Sequence, residues 1–270
     1  MLAMKEIREI PANRISVQGV SETSDRVIVE EPLEIYVNDR FYTLTMRLVG
    51  EEMPLAVGLC FTDGMIRSAD DLTMIRYCKE NTGNRIDLYL NEHSTGELPM
   101  VRRGTHASYS SCGICGSELI TDVGAALKNI EEKGHFTAML IFQCKETVET
   151  MQSVFKETRG THAAGIFDNE GNLIAFSEDV GRHNALDKAI GKVLLSKKTD
   201  KASIVVLTSR ISYEMVLKAG RLGVEVVAGF SAATSLAVEL ASRINLTLIG
   251  FLRDGSGTIY SAPVRVTHPQ

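Results

Sequence analysis

Between positions 30 and 48 the chain alternates apolar and polar residues twice, as LEIYV and FYTLTMRL, with Asn38-Asp39 between the two runs. Period-two alternation on both sides of an Asn-Asp pair predicts a β-hairpin over 32–48. The pattern then changes. Residues 51–63 are apolar without alternation and run into Gly64, which predicts a short helix stopped by that glycine. Two further strands are expected at 74–79 and 85–90, joined by the turn-forming residues 81–84. The first third of the chain therefore reads as a small α+β unit.

Residues 102–117 (RRGTHASYSSCGICGS) are polar, contain several Gly and Ser, and lack apolar periodicity, so they read as a loop. A helix over 118–133, ended by Gly134, should follow. Beyond it the periodicity switches repeatedly between strand and helix. Strands are expected at 136–142, 162–167, 172–177, 202–208, 224–228, 246–252 and 259–266, with 162–167 and 172–177 paired around a turn. Helices are expected at 147–158, 182–196, 213–222 and 233–243. Short β-branched runs alternating with amphipathic helices predict a three-layer α/β sandwich with a mainly parallel sheet. The expected organisation is α/β throughout: a small α+β N-terminal domain at 1–110, a cysteine loop with its connecting helix at 111–135, and an α/β domain at 136–270.

A chain of 270 residues with 44% hydrophobic and 23% charged residues can bury a core without disulfide or metal staples. Its formal charge of −5 excludes a general nucleic-acid binder but leaves room for a local basic pocket. Residues 1–15 lack the apolar core of a signal peptide, and no apolar run approaches the roughly 20 residues of a membrane span. A cytoplasmic protein with no membrane partner is expected. Five cysteines without an export signal argue against a disulfide framework. Cys60 in LAVGLCF and Cys144 at the end of AMLIFQC read as buried small hydrophobes, and Cys78 reads similarly.

Cys112 and Cys115 differ from these. In SSCGICG each cysteine precedes a glycine, so the backbone can turn tightly and leave sulfur exposed. A helix starting near Ser117 would set its positive end beside the pair and favour thiolate, with Arg102, Arg103 and His106 adding positive potential. A structural zinc site needs two more ligands, and the chain has no second CxxC, no CxxH and no HxxxH. A thioredoxin-like dithiol sits within a βαβ unit, whereas this pair lies in a long polar loop. Two incidental loop cysteines are the remaining bland reading. An exposed pair is open to oxidation, which favours a chemical role, and a persulfide carrier on a presenting loop fits best.

Three other places carry candidate chemistry. In EDVGRHN, a helix N-terminus with Arg182 and His183 can hold an anion, against the alternative that Glu178 and Asp179 merely favour the helix dipole. Asp187 and Lys188, one turn further along, read as surface or supporting residues. Arg210 and Arg253-Asp254 each follow a β-run, where ligands bind in α/β sheets, against the alternative of ordinary surface ion pairs. His162 is followed by Ala163 and Ala164, and the only CxxC lies upstream of it, so a zinc-deaminase site is not expected.

In order along the chain, SSCGICG, THAAGIF (161–167), EDVGRHNALDKAIG (178–191), SRISYEMVLKAG (209–220), SLAVELA (235–241) and LTLIGFLR (246–253) resemble the FdhD family of formate dehydrogenase accessory proteins over almost the whole chain. The resemblance implies a sulfur carrier. Such a protein takes persulfide sulfur from a cysteine desulfurase and transfers it to the molybdenum bis(molybdopterin guanine dinucleotide) cofactor, bound as substrate, before that cofactor enters formate dehydrogenase. It implies that Cys112 holds the persulfide with Cys115 assisting, and that the second domain has a cytidine-deaminase-like sandwich fold. The nucleotide end is expected at Phe251, Leu252, Arg253, Asp254, Gly255 and Ser256, with Arg210, His183 and Arg182 as further contacts. A homodimer is expected, and no permanently bound metal. The alternative is a cofactor-binding chaperone whose cysteines only ligate or protect the metal. The chain departs from the family pattern at Arg159-Gly160, at Thr208-Ser209-Arg210 and at Ala233, all in loops beside the expected ligand site.

Overall fold

The computed structural model describes residues 6–78, 84–91 and 127–267. Strands β1 (Ile7–Ser16) and β2 (Gly19–Ile28) open the chain as an antiparallel hairpin. The sequence pattern predicts no element there, because most side chains of the hairpin face solvent and the period-two apolar signal is missing. Strands β3 (Glu30–Val37) and β4 (Arg40–Leu48) form the expected hairpin. Asn38 and Asp39 take φ of 49° and 60°, the left-handed pair of a type I′ turn. Helix α1 (Glu52–Thr62) ends just before Gly64, whose φ of 87° suits only glycine. Strands β5 (Leu72–Cys78) and β6 (Arg85–Leu90) complete a four-stranded sheet of order β4-β3-β6-β5.

The middle of the chain departs from expectation. Of the helix expected over 118–133, residues 118–126 lie outside the described residues, and 127–133 are not helical. That stretch is strapped to the protein instead. The buried Arg265 guanidinium donates to the carbonyls of Ile130 and Glu131 at 3.2 and 3.3 Å. The Glu225 carboxylate accepts the N–H groups of Lys133 and Gly134 at 2.9 and 3.0 Å.

The strand expected at 136–142 shrinks to the two residues of β7 (Phe136–Thr137), after which α2 (Ala138–Met151) begins. Thr137 Oγ1 accepts from the Leu140 N–H at 3.2 Å and caps the helix. Ile141, Cys144, Lys145 and Val148 are buried at helical spacing. A run as short as AMLIF carries no decisive period, and here the cap decides.

The rest follows the expected alternation: α3 (Ser153–Thr158), β8 (His162–Phe167), β9 (Leu173–Asp179), α4 (Arg182–Leu195), β10 (Ile204–Leu207), α5 (Tyr213–Leu222), β11 (Val226–Gly229), α6 (Ser235–Arg243), β12 (Thr247–Arg253), β13 (Ser256–Ser261) and β14 (Val266–Thr267). The expected last strand is thus split into β13 and β14 by a short 3₁₀ turn at Pro263–Arg265.

The large sheet has six strands in the order β13-β12-β11-β10-β8-β9. Only β10, β11 and β12 run parallel to one another, while β8, β9 and β13 are antiparallel to their neighbours. The sheet is mixed rather than mainly parallel. Tight turns after β8 and β12 reverse the chain where a parallel pair would need a long crossover.

Side chains alternate between the two faces of this sheet. Ala163, Phe167, Ile204, Val206, Val226 and Ile249 pack with Ile141, Cys144 and Val148 of α2. Ala164, Ile166, Val205, Leu207, Val227 and Leu248 pack with α4, α5 and α6, which gives three layers. The same cluster takes in Leu55, Val57 and Cys60 of α1 and Leu33, Ile35, Ile86 and Leu88 of the small sheet, so one core runs through both parts of the chain. Helices α1 and α4 cross at glycines. A Cβ on Gly58 would lie 1.8 Å from the Asp187 carbonyl oxygen, and one on Gly191 would lie 1.9 Å from that of Pro54.

Candidate functional site

Strand direction brings several charged residues to one edge of the large sheet. The carboxyl ends of β10, β11 and β12 lie there, since Leu207 pairs with Gly229 and Ala228 with Ile249. Strand β8 runs the other way and starts at this edge, and β9 ends there, with His162 opposite Asp179. In open α/β sheets this is the edge at which ligands bind.

At the β8–β9 end, His162, Arg182, His183 and Arg210 converge. The His162 ring is held below the usual histidine range, first by burial and then by the nearby positive charges of Arg182, Arg210 and His183. Its position is set by the Ala163 N–H, which donates to Thr208 Oγ1 at 2.9 Å. His183 Nε2 lies 2.6 Å from Glu214 Oε2 on α5, an ion-pair distance. Arg182 Nε and Ser212 Oγ are buried without a hydrogen-bond partner. Sequence reasoning passed over Glu214 and Ser212, and it considered His162 only as a metal ligand. The available signal was that SRISYE directly follows a β-run.

The surrounding motif divides by role. Glu178 is not at the ligand edge, because its carboxylate accepts from the N–H groups of Val154 and Phe155 at 3.1 and 3.0 Å and so caps α3. Thr161 Oγ1 donates to the same carboxylate at 2.8 Å. Asp179 accepts from the N–H groups of Leu48 and Gly181 and lies 2.7 Å from Lys188 Nζ. Asp187 and Lys188 are buried, which rules out the surface placement and leaves the supporting one of the two expected. Asp187 pairs with Lys218 at 2.7 Å and accepts from Thr62 Oγ1 at 2.8 Å. Asn184, Asp187 and Lys188 fall on the face of α4 turned toward β4 and α1. That leaves Arg182 and His183, at the helix start, for the edge.

The other end of the edge carries the Phe251–Ser256 turn. Phe251 has a φ of 51° and exposes its ring, and its N–H donates to the Ser231 carbonyl at 3.0 Å. Leu252 points into the core against α2, so only its backbone is left to meet a ligand. Arg253 pairs with Ser256 across the turn at Asp254-Gly255, where Gly255 has a φ of 72°. Asp254 is open to solvent and accepts from Lys145 Nζ at 3.0 Å. That ammonium also lies 5.4 Å from the Phe230 ring centroid. With strands about 4.8 Å apart, the four steps from β12 to β9 separate the two ends by on the order of 20 Å.

Cys112 and Cys115, with Arg102, Arg103 and His106, lie outside the described residues. Cys60 and Cys144 are buried, and burial pushes Cys144 up to about 12, out of reach of thiolate chemistry at neutral pH. Among the described residues no group of three or more His, Cys, Asp or Glu side chains is placed to hold a metal ion. None of the described helices is long and apolar enough to cross a membrane.

Fold and site together define an α/β protein with a cluster of basic side chains at one edge of a mixed sheet. The chain belongs to the FdhD/NarQ family, whose profile matches residues 28–267. It is 35% identical over 264 residues to the sulfur carrier protein FdhD of Nocardia farcinica, covering 94% of this chain and 92% of that one. It is 33% identical over 262 residues to the protein of the same name from Sulfolobus acidocaldarius, covering 97% and 99%. The crystal structure of a Desulfotalea psychrophila protein, assigned as a formate dehydrogenase accessory protein, has the same fold. It superposes with a TM-score of 0.79 at 24% identity, over 97% of this chain and 99% of that one.

Proposed function

We propose that this protein is a sulfur carrier in formate dehydrogenase maturation, with Cys112 as the sulfur-bearing residue and the molybdenum bis(molybdopterin guanine dinucleotide) cofactor as its substrate. The observation that carries the reading is full-length similarity to proteins named sulfur carriers, in a chain that contains the Cys112-Gly-Ile-Cys115 pair.

The Cys112 thiolate attacks the terminal sulfur of a cysteine desulfurase persulfide. One S–S bond forms on Cys112 as the donor's breaks, and the donor leaves as its thiolate. The Cys115 thiolate then attacks the Cys112 sulfur. This forms a Cys112–Cys115 disulfide and expels hydrosulfide to the molybdenum, and a thiol reductant resets the pair. Arg182, His183 and Arg210 at one end of the edge and Phe251–Ser256 at the other take the nucleotide ends, whose span suits an edge on the order of 20 Å long. A cytidine-deaminase-like ancestry of the large sheet, a cytoplasmic location and a homodimer with paired sites belong to the same reading.

Intact-mass spectrometry after incubation with a cysteine desulfurase and cysteine tests it. Wild type should gain one sulfur atom, Cys112→Ala should gain none, and Cys115→Ala should load but release poorly. A wild type that gains no sulfur while still binding the cofactor would favour a cofactor-binding chaperone instead.

A further inference from the structure

We propose that the β1–β2 hairpin is an exchange arm, which reaches across to a second copy of this chain and seats its apolar tip, Ile15, Val17 and Val20, on that copy. The proposal gives a surface to the homodimer of the reading above and rests on that part of it alone.

The first argument is that the hairpin does not cover itself. Its residue pairs run from Ile7–Ile28 out to Ser16–Gly19, and among the described residues no third strand joins them. An isolated two-stranded hairpin is marginally stable in water at best, because it has no second layer against which to bury apolar surface. The tip deepens the deficit. Ile15 and Val20 face each other across the ladder at 81% and 69% exposure, and Val17, in the two-residue turn, is fully exposed. Turns open to water ordinarily carry Gly, Asn, Asp or Ser. Three exposed aliphatic side chains within six residues, at the end of an arm, mark a contact surface.

The second is that the root of the arm is fixed. Arg26 pairs with Glu157 on α3, Ile28 packs over Gly160, and the Val29 N–H donates to the Glu6 carbonyl at 2.8 Å. An arm held at its root presents its tip with little ordering left to do on contact.

The third is which partner fits. Between Ile7 and Ile28, Arg8, Arg14 and Arg26 balance Glu9, Glu22 and Asp25. A nucleic acid or an anionic membrane would select a basic arm instead. Strand addition along the edges is disfavoured, because Pro11 removes a backbone donor from β1 and charged residues line both strands. Packing of a face and a tip against protein is left, and area decides which protein. A ten-residue ribbon of two strands is about 33 Å long and about 10 Å wide, so one face covers roughly 330 Å². A single arm on a foreign protein would bury roughly 660 Å² counting both sides, short of the roughly 1,000 Å² of a specific interface. Two arms exchanged about a two-fold axis bury roughly 1,300 Å², within the standard range. A second copy supplies that second arm.

Sedimentation velocity of the full chain over a series of protein concentrations tests the arm. Wild type should sediment as a dimer, and Ile15→Asp combined with Val17→Asp should raise the dimer Kd about a hundredfold or more. Met139→Asp, at a comparably exposed apolar residue away from the arm, should leave the Kd unchanged. Melting temperatures equal to that of wild type will show that both variants are folded. In amide hydrogen exchange, residues 13–22 should gain protection as the dimer forms.

A wild type that stays monomeric overturns the proposal, including one that binds a purified cysteine desulfurase through the tip. A dimer that the tip variant leaves intact overturns it as well, but spares the homodimer and rejects only this surface. None of these measurements uses a sulfur donor. A wild type that dimerises through the arm but gains no sulfur therefore refutes only the carrier chemistry, and the converse refutes only the arm.

Discussion

Replacing Gly58 or Gly191 with alanine should be far more costly than a methyl group usually is. The added Cβ would stand 1.8 or 1.9 Å from a backbone carbonyl oxygen of the facing helix. That is roughly 1.5 Å inside ordinary contact. Backbone cannot rotate out of the way, so α1 and α4 must separate. Separation also strains the buried group of Thr62, Asp187 and Lys218, whose contacts span 2.7–2.8 Å between α1, α4 and α5. Overpacking costs about 1–3 kcal/mol, occasionally more, and a broken buried ion pair about 3–5 kcal/mol. The helix-propensity gain of alanine over glycine returns only about 1 kcal/mol. A net loss of about 3–7 kcal/mol follows. At about 2–4 °C per kcal/mol for a chain of this size, the melting temperature should fall by roughly 6–28 °C. Gly220→Ala is the control, because its Cβ would meet only the side-chain ends of Ile244 and Leu127, at 2.8 and 3.2 Å. Thermal unfolding followed by circular dichroism reads all three. Either glycine variant melting within about 2 °C of wild type would refute the crossing as described.

Two further outcomes follow from the same geometry. Burial and the charges of Arg182, Arg210 and His183 depress His162, so its stabilising contribution is complete above about pH 6.5 and is lost as pH falls through its lowered value. The unfolding free energy from urea titration should therefore drop more between pH 7 and pH 5 in wild type than in His162→Gln, by at most about 1.4 kcal/mol per pH unit, and parallel curves would rule this out. Arg265→Met should cost about 3–5 kcal/mol, since it leaves Glu225 buried 3.3 Å from a lost partner and frees the carbonyls of Ile130 and Glu131. The same variant should expose the 127–135 segment to rapid amide hydrogen exchange, and unchanged exchange there would show that Arg265 does not strap it.

Local pattern determined much of this protein. Alternation around Asn38-Asp39 specified the first hairpin, Gly64 marked the end of α1, and α5 falls at the residues its periodicity predicts. Apolar surroundings correctly marked Cys60 and Cys144 as buried. The motifs also singled out Arg182 and His183 at a helix start, and separately Arg210 with Arg253 at strand ends, because such positions are readable along a chain.

What only tertiary structure decided depends on partners far away in sequence. The β8–β9 pair was legible from its turn, but the antiparallel pairing of β8 with β10 and of β13 with β12 depends on which strand each meets, so a mixed sheet could not be told from a mainly parallel one. Residues 136–142 carried too short an apolar run to choose a period, and the Thr137 cap chose the helix. Asp187 and Lys188 look like surface charges in one dimension. They are buried because Thr62, Lys218, Asp179 and the Leu48 carbonyl, from elements far along the chain, arrive to pair them. The basic cluster is of the same kind: His162, Arg182 and Arg210 become neighbours only when the sheet edge brings three loops together. Periodicity and capping act over a few residues and are written locally, whereas burial of charge and convergence of donors are properties of long-range contacts.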